Sequence, residues 1–77
     1  MTDTYLSGLN EGQFARVTGL LHTGSIKRRL QDLGLVAGTK VRCLQKSPHG
    51  DPAAYSIRGA VIALRHEDAR FVTVDDL

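Results

Sequence analysis

The 77-residue sequence predicts a mainly β fold, a small, partly open β-barrel of about five short strands with one helix (about 25–34) packed over one side or end. Three observations carry this expectation. One stretch only, Ser25 to Leu35, combines a helical apolar period with a start and a stop. Elsewhere the apolar residues alternate in short runs, as half-buried strands require. Between the runs lie closely spaced turn residues, with no internal repeat and no linker, so residues 1–77 read as a single domain. Short strands in this number bury one face by curling, which also reduces their exposed edges.

The helix is expected to begin at Ser25, whose hydroxyl can accept from the first free backbone amides. Ile26, Leu30 and Leu33 recur at i, i+4 and i+7 and so predict a core-facing stripe. Gly34 sits where the chain must turn left-handed, and Leu35 beyond it can fold back on the last turn. A helix of this length does not persist alone in water and must dock on the strands.

Before the helix, Leu6 and Leu9 are core candidates, and Asn10-Glu11-Gly12 reads as a turn. Gln13 to Leu21 predicts a first strand with Ala15, Val17 and Gly19 on one side. After Ala37-Gly38-Thr39, Lys40 to Lys46 predicts a second, with Val41, Cys43 and Gln45 sharing a face. Ser47-Pro48-His49-Gly50-Asp51-Pro52 is the strongest turn signal, because each Pro fixes φ and removes a donor. Ala53 to Arg58 (Tyr55 and Ile57 inward) and Ala60 to Arg65 (Ile62 and Leu64 inward) form a hairpin about Gly59. His66 to Ala69 reads as a tight turn, Phe71 to Val74 as the last strand, and Asp75-Asp76-Leu77 as a fraying end.

Composition excludes several classes. A single cysteine rules out an internal disulfide framework and any CxxC zinc site. No apolar run approaches the roughly 20 residues of a membrane helix, and the start lacks a signal peptide's basic and apolar segments, so a cytoplasmic location is expected. A formal charge of +2 with no Trp, two Tyr and two Phe is a weak footprint for nucleic acid, and none is expected as a partner.

Taken together, Arg28-Arg29-Leu30-Gln31-Asp32-Leu33-Gly34-Leu35, Gly38-Thr39-Lys40-Val41, Gly50-Asp51-Pro52, and Gly59 with Ile62-Ala63-Leu64-Arg65 resemble the ferrous iron transport protein A (FeoA) family. The resemblance runs from about Leu6 to Val74 and implies an SH3-like β-barrel. Two positions depart from the family's pattern: Ala37 where Pro is frequent, and His49 where an apolar residue is frequent. The resemblance implies a small cytosolic accessory of the membrane ferrous iron transporter (FeoB), which carries a guanine-nucleotide-binding domain. Binding and regulation would then occur at the inner face of the membrane, without insertion into it. It brings no catalytic residues and no cofactor. The alternative is a detached SH3-like sensor domain of the iron-dependent repressor type, binding transition metal or a peptide. The lack of a helix-turn-helix in 77 residues weighs against it.

Candidate chemistry is sparse. His22, His49 and His66 are ligand types, yet each falls in a connection without metal-ligand spacing and reads as a solvated loop residue, so no metal site is expected. Cys43 alternates with Val41 and reads as core. Neither it nor Ser25 has a His-Asp pair placed to activate it, and no enzymatic activity is expected. The remaining candidates are for partner binding: Lys27, Arg28 and Arg29 on the exposed side of the helix, and the stiff Pro48-His49 tip.

Overall fold

A computed structural model describes residues 4–49 and 51–77. Six antiparallel strands form one sheet in the order β1-β6-β2-β3-β4-β5. They are β1 (Thr4–Tyr5), β2 (Phe14–Leu20), β3 (Lys40–Lys46), β4 (Ala53–Ile57), β5 (Ala60–Leu64) and β6 (Val72–Asp76). A 3-10 turn at Leu6–Gly8 follows β1, helix α1 (Gly24–Asp32) joins β2 to β3, and helix α2 (His66–Ala69) joins β5 to β6. Register shifts bend two strands, between Val17 and Gly19 in β2 and between Cys43 and Gln45 in β3. The bent sheet wraps one core, in which Leu6, Leu9, Val17, Leu30, Leu35, Val41, Cys43, Tyr55, Ile57, Val72 and Val74 are almost wholly buried.

The alternation in β2 and β4 is as the sequence predicts: Ala15 and Val17 point in, as do Tyr55 and Ile57. Helix α1 ends in a Schellman motif, with the Leu35 amide donating to the Leu30 carbonyl (3.1 Å) and that of Gly34 to Gln31 (2.9 Å). Gly34 has φ +111° and Leu35 is buried.

Several expectations need correction. The described residues form six strands, because Thr4–Tyr5 pairs with Thr73 and Val74. The cap of α1 is Thr23, in extended backbone and without a side-chain hydrogen bond, and Ser25 lies inside the helix. Leu33, at the helix end rather than inside it, is 38% exposed, whereas Ile26 packs half-buried on the core. The β3 bulge rotates Gln45 out of line with Val41 and Cys43, leaving it exposed. Asp75 and Asp76 belong to β6, paired with Arg16 and Ala15 of β2, and Gln13 Nε2 donates to Asp76 Oδ1 (3.3 Å). The turn at His66 is a second helix, because Asp51 Oδ1 accepts from the His66 amide (3.0 Å). That cap comes from 15 residues away. His22 is buried, at 8% exposure, and is not a solvated loop residue.

Candidate partner-binding surface

The basic residues of α1 follow from its docking. With Leu30 committed to the core and Ile26 packed beside it, the helical period turns Arg28 and Arg29 outward and leaves Lys27 half-buried at the boundary. Arg28 and Arg29 border a shallow groove with Ser25, Ile26 and Asp32. Arg29 also reaches a second groove, lined by Leu30, Leu33, Ala63, Leu64, Arg65 and the acidic Glu67 and Asp68. One helix thus presents cations on both flanks. The other predicted site residues, Pro48 and His49, are exposed in the β3–β4 connection, and neither borders these two grooves. Gly50, also in that connection, lies outside the described residues.

Beyond the predicted residues, His22 borders a third groove with Leu21, Thr23, Ile26, Glu67, Asp68 and Phe71. Its Nε2 donates to the Asp68 carbonyl (2.9 Å), and the Phe71 ring meets it edge-on at 5.6 Å. Nδ1 is buried with no hydrogen-bond partner among the described residues. The histidine thereby ties the approach of α1 to α2. A histidine between a strand and a helix carries no sequence signal for that burial, since its partner is a backbone carbonyl 46 residues on.

A second cationic cluster covers the outer face of β2 and β3. Phe14 lies beneath Lys40 Nζ (4.7 Å) and the Arg42 guanidinium (4.8 Å), each over its ring. Arg16, two residues on, is opposite Lys40 on β3 and Asp75 on β6. These contacts were legible only as alternation, because cross-strand register brings them together.

The chemistry of nucleophile and ligand groups is subdued. Cys43 is fully buried, and burial pushes its thiol up from the ordinary range, the reverse of what nucleophilic activation needs. Among the described residues, no three of His, Cys, Asp and Glu are grouped so as to hold a metal ion. Among the described residues, no helix is long and apolar enough to cross a membrane.

Comparisons with known proteins give this geometry a lineage. The fold is shared with the FeoA protein of Chlorobium tepidum, at 38% identity and a TM-score of 0.90 over 96% of this chain and 70% of that one. The FeoA of Stenotrophomonas maltophilia, solved with zinc and described as an SH3 domain protein, is 37% identical, with a TM-score of 0.83 over 94% of this chain and 89% of that one. The fold is therefore the SH3-like barrel. A manganese-dependent transcriptional repressor superposes with a TM-score of 0.87 at 18% identity, over 100% of this chain and 38% of that one, which shows a shared fold alone. A curated relative, the Fe(2+) transport protein A/Fe(2+) transporter FeoB fusion protein of Porphyromonas gingivalis, is 31% identical over 70 residues. That match takes in 91% of this chain and spans 8% of the relative's length. The FeoA domain model matches residues 4–76, nearly the whole sequence, and the chain belongs to the FeoA domain family.

Proposed function

We propose that this chain is a small, non-catalytic, cytoplasmic accessory of ferrous iron uptake that binds the membrane ferrous iron transporter FeoB and regulates it through protein–protein contacts. The observation that carries this reading is the fusion relative, in which an FeoA segment and FeoB share one polypeptide. Fusion holds two modules at high effective concentration, an arrangement that serves modules which act on each other. The exposed cations of α1 offer the charge for such a contact: they would speed encounter with an acidic patch on the transporter's cytosolic part and lose that advantage as salt screens them. The Pro48-His49 tip is the second candidate, a stiff loop that loses little freedom on docking.

The test is a titration of the transporter's cytosolic part with the Lys27→Glu, Arg28→Glu double variant, at low and moderate salt, beside a melting curve. Arg28 is exposed and Lys27 half-buried, and neither belongs to the buried core, so the thermal midpoint should stay nearly unchanged while association slows by at least about tenfold. Wild-type binding by the double variant would remove the helix from the site and leave the loop, and no binding by the parent chain would leave no partner of this kind. Calorimetry with ferrous and manganous ions tests the metal-sensor reading: tight stoichiometric binding to this chain alone would favour it.

A further inference from the structure

Strand β5 ends the sheet, and it carries none of the charge, proline or bulge that commonly guards a sheet edge. Ala60, Val61, Ile62, Ala63 and Leu64 include no charge and no proline, and their pairing with β4 runs without a bulge. Val61 is 71% exposed, the most exposed of the large apolar side chains among the described residues. The two-residue turn before the strand has φ +52° at Arg58 and +83° at Gly59, the primed geometry that makes the flanking residues Ile57 and Ala60 a hydrogen-bonded pair. Alternation then gives the pairs Tyr55–Ile62 and Ala53–Leu64 the remaining ladder bonds and turns the N–H and C=O of Val61 and Ala63 outward. Among the described residues, no turn or side-chain hydrogen bond uses those outward groups.

A groove of about 470 Å³ borders the C-terminal end of this strand, lined by Leu30 and Leu33 of α1 together with Ala63 and Leu64. A strand edge beside a helix is the arrangement in which added strands bind: the backbone supplies affinity, and alternate side chains enter the groove. Arg58 precedes the strand and Arg65 follows it, both exposed. A second copy paired antiparallel about Ile62 would set Arg65 opposite Gly59, beside the other copy's Arg58, at both ends. Like charges so placed oppose self-pairing. The same two arginines attract carboxylates, Arg65 doing so against the Glu67 and Asp68 that line the groove beside it.

We propose that β5 is a strand-addition site for an extended segment of another protein, apolar along its centre and acidic at both ends. The probe is the capped octapeptide Glu-Thr-Val-Thr-Val-Thr-Val-Glu, titrated into the full chain and followed by amide NMR. The expected result is saturable shifts and slowed exchange at Val61 and Ala63. N-methylation of the peptide's edge-facing amides should weaken binding by about tenfold or more, because each lost backbone bond contributes about fivefold. Lysines in place of the terminal glutamates should weaken it similarly. Val61→Pro removes one outward donor and should bind less, whereas Val61→Thr keeps it and should bind as the parent. The proposal is overturned by an absence of shifts at about 1 mM peptide, by equal binding of the N-methylated peptide, or by shifts confined to α1. A concentration-dependent dimer in sedimentation that Val61→Pro abolishes, with no peptide binding, would overturn it in favour of a second copy.

Discussion

At the scale of single residues, Gly34 joins two parts of the molecule. Its φ of +111° closes the Schellman motif of α1, and its missing Cβ leaves room for the Arg58 side chain, which passes where that atom would stand. Ile57 Cγ2 would lie 3.1 Å away on another side. An alanine therefore meets both a strained backbone and a filled space. Gly34→Ala is expected to destabilise by about 1–3 kcal/mol in urea denaturation. Arg58→Ala in the same chain should recover the steric part only. A stability equal to the parent would mean that the helix end yields without cost. The role of Gly34 could be read in sequence because a C-terminal glycine follows from local chemistry. That of His22 could not, since its burial depends on α2 meeting the end of β2, and neither element encodes the meeting by itself. Ser25 misled for a related reason: a good capping residue does not fix a helix start when its neighbour Thr23 can take the extended conformation of the cap.

At the scale of elements, helix α1 is held mainly by Leu30, which is 1% exposed, with Ile26 half-buried beside it. Nine residues do not hold a helix in water without such packing. Leu30→Ala should cost about 2–5 kcal/mol, a large share of the stability of a domain this small. Chemical denaturation checks this, and a loss under about 0.5 kcal/mol would make the helix peripheral to the fold. The strands themselves were legible nearly to the residue at Lys40–Lys46, where alternation and flanking turns agree. Their bulges were not. Gln45 looks inward by count and is turned outward by one extra residue. Helix α2 was hidden for the same kind of reason, as its cap is the Asp51 carboxylate from the β3–β4 connection. In the candidate site, the outward turn of Arg28 and Arg29 followed from periodicity alone. The bare edge of β5 could also have been found, since five apolar residues without alternation bounded by arginines are visible in the sequence.

At the scale of the whole molecule, Tyr55 links two distant parts of the chain. It stands on β4, is 1% exposed, and donates its hydroxyl to the Leu6 carbonyl at 3.5 Å, across 49 residues. Leu6 sits in the 3-10 turn that follows β1, next to the strand pair β1–β6 that brings the two ends together. Burial, with smaller contributions from Cys43 and Asp51, pushes the Tyr55 hydroxyl up to about 12 from 10.0. The sign of the linkage is fixed by that direction. Below pH 10 both folded and unfolded chains keep the proton, and the contribution of this group is fully present. Between about pH 10 and 12 the unfolded chain releases the proton while the folded one retains it, so stability falls as pH rises. The loss across that window is of the order of 2–3 kcal/mol, since each pKa unit corresponds to about 1.4 kcal/mol. Urea denaturation of the parent at several alkaline pH values, beside Tyr55→Phe, isolates it. Every other group is common to the two chains, so its contribution cancels in the comparison. The Phe variant should lose less stability between pH 10 and 12, by nearly the slope of one proton, and should differ little at neutral pH because the hydrogen bond it removes is long. Parallel curves for the two chains would show that Tyr55 ionises as freely in the folded barrel as in the unfolded chain. That would require the contact between β4 and the Leu6 turn to open without cost to the rest of the core.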